Sequence, residues 1–293
     1  MAFEIGVITD EVAGDFERAC ELAAAWGLRH VELRTMWGEN VLQLSESQLE
    51  RAERILERLG LTVTAIASPV FKSPLDGKPR AMAADFALGG SESFEEQLEL
   101  LDRAASLCRR FGTRFVRVFS FWREPWSDEV AADLIGKLGD AARFAREHDV
   151  VLAVENEPVC IVGTGEELGR LWRGLEARLA ADLLSHLTVL WDPGNAQAAG
   201  EDAFPRGYRS LPGGSVGHVH LKDVVRGADG AASFVPVGRG EVGFEQQLRA
   251  LRHDGYGGQL VLEPHYDPAG VAQAEAAQQA VKAAQQLVEK VLA

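Results

Sequence analysis

Four short segments in the second half of this 293-residue chain place acids or imidazoles at the ends of branched apolar runs. They are Glu155-Asn156-Glu157-Pro158, Asp192-Pro193-Gly194-Asn195, Gly217-His218-Val219-His220-Leu221-Lys222-Asp223 and Leu262-Glu263-Pro264-His265. A single acid at such a place is most often a loop cap or an ion-pair partner. Four at equivalent places differ, because burying even one unpaired carboxylate costs several kcal/mol and a converging group makes sense mainly around a cation. Glu, Asp, His and Glu supply three carboxylates and one imidazole, a mixed O/N set suited to one divalent ion. Manganese is the first expectation, with magnesium, cobalt, zinc or iron as substitutes. No cysteine is near, so a soft thiolate site is not expected. The spacing alone leaves both His218 and His220 open, and either can be a satisfied core histidine.

The elements that must position these residues form an unbroken alternation. Short β-branched runs recur at 4–9, 30–34, 62–68, 114–120, 150–155, 187–192, 216–222 and 259–263, each bounded by Gly, Pro, Asp or Ser, as buried parallel strands are. Between them lie helical patterns, such as Phe16, Ala19, Cys20, Ala23 and Trp26, or Leu98, Leu101, Ala105 and Cys108. Capping boxes are expected at Ser47-x-x-Glu50, Ser93-x-x-Glu96 and Thr164-x-x-Glu167, with Gly27, Gly60 and Gly112 just past helix ends. A closing helix is expected over 269–292, while 198–215 is Gly/Pro-rich and has no clear helix. Eight β/α units predict an α/β fold, a single (β/α)8 TIM barrel over residues 1–293, in preference to a doubly wound sheet. Function in such barrels sits where the strands end, which is where the four segments fall.

Composition narrows the function. Thirty basic against forty-four acidic side chains give a formal charge of −14, a field that repels phosphate backbones, so nucleic acid is not expected as a partner. No window approaches a membrane span, and the opening Met1-Ala2-Phe3-Glu4-Ile5 has no signal-peptide character. Cys20, Cys108 and Cys160 lie far apart in no metal spacing, which fits a cytoplasmic location. The expected partner is a small molecule, and a homo-oligomer is allowed.

The ordered set ENEP, DPGN, HVHLKD, GRG and LEPH, with ITDE and VELR near the start, resembles the xylose-isomerase-like TIM-barrel superfamily over essentially the whole chain. That group contains sugar epimerases, hydroxypyruvate isomerases, inosose dehydratases and endonuclease IV. The resemblance implies metal ligands at Glu155, Asp192, His220 and Glu263. His220 is chosen over His218 as the second member of the H-x-H pair, with the family's substrate-binding Arg at Arg226. It further implies that Glu155 and Glu263 move a proton through an enediolate on a sugar or keto-polyol. Glu157, Asn195, His218, Lys222 and Trp122 are further substrate-pocket candidates, and Glu157 or Lys222 an alternative acid/base. One departure stands out: Asn195 occupies the place where epimerases and endonuclease IV often carry His. With no D-x-H pair, a trinuclear phosphodiesterase site is not expected. The same machinery acting on a substrate with a β leaving group gives a lyase or dehydratase, with His265 or Lys222 as the acid. A non-catalytic sugar-binding barrel comes last.

Two further features complete the expectations. Gly238-Arg239-Gly240-Glu241-Val242-Gly243 matches a dinucleotide fingerprint, but it lies between the seventh and eighth strands rather than after the first. No nicotinamide or flavin is therefore expected. The loop is instead a plain turn or a donor of N–H groups to a substrate hydroxyl or phosphate. Trp37, Phe121, Trp122 and Trp126 either wall a sugar site or pack against loops, Trp191 faces the helices, and Arg34, Lys72 and Arg117 add positive charge near the mouth.

Overall fold

The computed structural model describes residues 3–78, 93–227 and 231–293. Eight parallel strands close on themselves: β1 (Glu4–Ile8), β2 (His30–Leu33), β3 (Thr62–Ile66), β4 (Phe115–Val118), β5 (Val151–Glu155), β6 (Leu187–Trp191), β7 (Val216–Leu221) and β8 (Gln259–Leu262). Each neighbours the next in sequence, and β1 pairs with β8 through Glu4 to Gln259 and Val7 to Leu262. Closure excludes the doubly wound sheet, which has two edges. The strands are those read from the sequence, most of them trimmed at their C-terminal ends. There the chain leaves the ladder to present side chains.

The outer layer is α1 (Phe16–Ala25), α2 (Glu46–Leu59), α3 (Phe94–Phe111), α4 (Asp128–Glu147), α5 (Gly165–Arg178), α6 (Pro193–Ala198), α7 (Phe244–His253) and α8 (Gln273–Leu292). Their apolar stripes pack on the barrel: Phe16, Ala19, Cys20 and Ala23 of α1 are buried, as are Val281, Ala284, Val288 and Val291 of α8. Gly27, Gly60 and Gly112 adopt the expected positive φ. The Ser93–Glu96 capping box forms. At α2 the box lies two residues earlier than expected, with Gln48 accepting from the Ser45 N–H at 2.8 Å. At α5 only half of it forms: the Thr164 hydroxyl caps Glu167 N–H, while the Glu167 carboxylate turns to Gly163 N–H and Arg123.

The sixth unit is abbreviated, as its composition suggests. After α6 come two short turns, Ala203–Gly207 and Tyr208–Ser210. Gly194 lets the tip of α6 lie against β7, for a Cβ there would stand 2.1 Å from the backbone oxygen of Lys222. Since that obstacle is backbone, Gly194→Ala is expected to destabilise the protein by about 1–3 kcal/mol, read as a lowered urea midpoint with an unchanged slope.

Candidate functional site

Strand alternation carries Glu32, Arg117, Glu155, His218 and His220 into the barrel, while Arg34, Asp192, Lys222 and Glu263 join them from just past the ends of β2, β6, β7 and β8. None of these nine ionisable residues is more than 3% exposed. Barrel interiors are ordinarily filled by branched apolar side chains, so this layer is bought at the expense of stability. Glu155, Asp192, His220 and Glu263 each offer one ligand atom, all within 4.8 Å of one another. His220 Nδ1 lies 3.1 Å from Glu155 Oε1 and 3.5 Å from Glu263 Oε2. Asp192 Oδ2 and Glu263 Oε2 are buried and accept no hydrogen bond. The Lys222 ammonium stands 3.1 and 2.9 Å from these two oxygens, an ion-pair distance at angles that form no hydrogen bond. Two buried carboxylate oxygens ion-paired with Lys222, beside an imidazole nitrogen and a third carboxylate, form a donor set that a divalent cation can use.

Each member is held from behind. Asp192 caps α6, its Oδ1 accepting from Asn195 N–H at 2.9 Å, which leaves Oδ2 for the centre. Asn156 brackets Asp192, accepting from its N–H at 2.9 Å and donating to its carbonyl at 2.8 Å. Asn195 donates to Asn156 O at 2.9 Å and accepts from Lys222 at 3.1 Å. Glu263 Oε1 is gripped by Arg34, whose other nitrogen reaches Asp10 at 2.7 Å and Glu11 at 2.6 Å. Arg117 lies 3.4 Å from Glu155 Oε2 and donates to the carbonyls of Ala67 and Ser68.

Glu32 is the residue sequence reading passed over. Its Oε1 is 3.1 Å from His220 Nε2 and its Oε2 is 2.7 Å from His218 Nε2. A carboxylate there favours the proton on His220 Nε2 and turns the Nδ1 lone pair toward the other carboxylates. An acid in the middle of the buried run His30-Val31-Glu32-Leu33 was the available signal.

The remaining candidates separate. His218 is fully buried one layer below His220, its ring 5.9 Å from Phe115. Glu157 is paired at 3.6 Å with Lys72, whose ammonium lies over the Phe119 ring. Trp122 is buried against Phe119 and Cys160. Beyond β7 the chain forms a ribbon, Asp223–Arg226 with Ala232–Val235, on which Arg226 is exposed and donates to Ala198 O. Trp37 packs on Phe16 and Trp126 lies under Arg170, the loop-packing alternative. Trp191 faces the helices and donates to Gln247 of α7. The glycine loop wraps an anion from the protein itself: Asp223 accepts from Gly238, Gly240 and Val242 N–H at 2.8, 2.9 and 3.2 Å. At the rim His265 adopts a positive φ of 44° and sits 3.3 Å from Glu11 and 3.4 Å from Glu263.

Burial raises every carboxyl here, and neighbours decide the outcome. At Glu155, His220 and Arg117 overcome burial and hold the carboxyl below its usual range. At Glu263, Lys222 and His265 do so more strongly. Asp192 goes the other way: burial, with Glu155 and Glu263 adding to it against Lys222, pushes it up to about 6. His220, which burial alone would lower, is raised well above its ordinary value by Glu32 and Glu155.

The residue pattern of the xylose isomerase-like TIM barrel family matches residues 20–287. The chain belongs to that family. No curated protein matches it. Among solved structures, the IOLI protein with a bound zinc atom superposes with a TM-score of 0.76 at 18% identity, covering 98% of this chain and 99% of that one. A D-allulose 3-epimerase from Methylomonas sp. in complex with D-allulose gives 0.70 at 16%, covering 97% of each. The probable 3-DHS dehydratase AsbF from Bacillus anthracis gives 0.69 at 16%, covering 97% and 99%. At these identities the likeness establishes the shared fold.

Two expectations follow. Glu32→Gln is expected to weaken divalent-ion binding about 10–100-fold with the fold retained, measured by competition with a chelator; unchanged affinity would remove Glu32 from this role. A cation entering the quartet must also displace the proton that His220 holds above neutrality and, below about 6, the one on Asp192. Apparent affinity should therefore rise with pH by about tenfold per unit near neutrality and more steeply in acid. Calorimetry in buffers of different ionisation enthalpy would register the released protons.

Proposed function

We propose that the protein is a divalent-metal-dependent isomerase or epimerase of a small sugar or keto-polyol. The observation that carries this reading is the buried quartet with two carboxylate oxygens that accept no hydrogen bond. Glu155, Asp192, His220 and Glu263 would hold the ion, manganese by preference. When bound, it supplies an electrophile that draws electrons from a substrate carbonyl and acidifies the neighbouring C–H.

The chain's own residues do the rest. Glu155 takes the proton from the carbon beside the carbonyl, and Glu263 returns one to the opposite face or to the next carbon. Both carboxyls are held below their ordinary range, so each is ionised and ready to accept, though intrinsically a weak base. Arg34 fixes Glu263 and Arg117 steadies Glu155, so neither carboxylate must be ordered at the moment of transfer. Lys222 and Asn195, hydrogen-bonded to each other at 3.1 Å, offer polar contacts to substrate hydroxyls. Near-complete burial of the quartet keeps water from the carbanion.

A lyase or dehydratase reading is favoured by one observation. His265, at the partly exposed mouth and 3.4 Å from Glu263, stands where it can protonate a β leaving group. Product mass distinguishes the two readings: an unchanged mass for isomerisation, the loss of water or an aglycone for elimination.

Asp192→Ala and His220→Ala are expected to lose the roughly stoichiometric ion found by plasma mass spectrometry in protein purified without chelator. In Glu155→Gln, exchange of the carbon-bound proton in deuterated water should fall by at least about 100-fold. Undiminished exchange would remove Glu155 as the base.

A further inference from the structure

The mouth of the barrel where the strands begin lies at the opposite end from the quartet, and it is open. A cavity of about 540 Å³ is set there among the first residues of β4 and β7 and the turn that leads into β8. Phe115, Tyr208, Leu211, Val216, Leu251 and Tyr256 form its apolar walls, and six of its fifteen lining residues are glycine. At Gly213, Gly214 and Gly255 a Cβ would meet no atom within 4 Å, so these glycines border open space rather than a close backbone contact. A neighbouring cavity of about 510 Å³ shares Phe115, Gly213, Gly214 and Gly217 and widens the mouth. Volumes of this size hold small organic molecules.

The walls are seated before any ligand arrives. Phe115 lies 5.9 Å from the His218 ring, Tyr208 lies 6.0 Å from Phe204, and Tyr256 lies 6.4 Å from Phe3. The Tyr256 hydroxyl donates to Gln259 O at 2.6 Å. Rings held in this way lose little freedom on binding. Two charges of opposite sign line the same cavity, both on exposed side chains. Arg209 has no hydrogen-bond or ion-pair partner among the described residues, Asp254 included. Asp254 closes α7, where the helix carbonyls add negative potential, and its Oδ2 accepts from the Tyr208 hydroxyl at 2.8 Å, which leaves Oδ1 for a ligand.

We infer that this mouth is a second small-molecule site, which takes a zwitterionic amino acid with a large apolar side chain. The carboxylate pairs with Arg209, the ammonium with Asp254, and the side chain lies among the rings of Phe115, Tyr208 and Tyr256. An acid without the ammonium would leave Asp254 unpaired beside it, and an amine without the carboxylate would face Arg209. The site draws on no residue of the quartet.

The test is titration calorimetry on the full chain stripped of metal with a chelator. Its probes are L-phenylalanine, 3-phenylpropionate, which lacks the ammonium, and phenethylamine, which lacks the carboxylate. Phenylalanine is expected to bind, and each truncated analogue to bind at least about tenfold less well. Arg209→Met and Asp254→Asn should each weaken phenylalanine about tenfold with an unchanged urea midpoint. Gly213→Phe should weaken it by filling the opening, whereas Asp192→Ala should leave it unchanged. An analogue that binds as well as phenylalanine overturns the zwitterion class. Binding that needs manganese, or that falls in Asp192→Ala, places the ligand at the quartet and overturns the second site. So does binding that survives both Arg209→Met and Asp254→Asn. Failure of phenylalanine, tyrosine, tryptophan and leucine alike to bind at about millimolar concentration overturns the inference as a whole.

Discussion

Three carboxylates brought within one ion's reach inside a barrel repel one another, and much of the surrounding structure answers that repulsion. Glu155, Asp192 and Glu263 arrive from three different strand ends. Their charges are met by Lys222 from above, Arg34 and Arg117 from the sides, and His220 between them. Removing any of these cations would leave a buried charge without its partner, which is far costlier than never burying the pair. The arrangement is therefore a balanced set, and a divalent ion held by these residues would share the neutralising work of Lys222 and of the proton on His220.

The balance extends one layer deeper through Glu32. By bridging His220 and His218 it uses both carboxylate oxygens, and it couples β2 to β7 across the barrel. That coupling gives His220 one orientation out of the several its side chain could take, and it selects which ring nitrogen is free. A similar logic governs Arg34, whose fork spans the ends of β1 and β8, so that Glu263 is aimed by residues more than 200 positions away in sequence.

How much of this could be read from the chain follows from where each residue lies. Glu155, Asp192 and Glu263 end apolar runs, two of them directly before proline, so type and position both announced them. Glu32 and Arg34 sit within or at the edge of a run whose alternation also fits an ordinary half-buried strand. Only closure of the barrel turns that face inward. Arg226 lies at a suggestive spacing from His220, yet the ribbon that follows β7 carries it to the surface, a matter of chain direction that spacing cannot encode. The aromatic residues after β2 and β4 were undecidable for the same reason, since a turn residue at positive φ, as at Trp37 and Phe121, can point its ring either way.

Asp192 shows why the bland and the functional readings of a strand-end acid are not rivals. Its Oδ1 caps α6, a contact worth about 0.5–2 kcal/mol in helices generally, and by doing so fixes the direction of Oδ2. Pro193 starts the helix behind the cap, and Gly194 lets its tip lie against the Lys222 backbone. The same Lys222 carries the ammonium 3.1 Å from Asp192 Oδ2. Helix start, glycine contact and ion pair thus form one closed loop of constraints. The carboxylate is precise as a candidate ligand because it is first of all a structural cap.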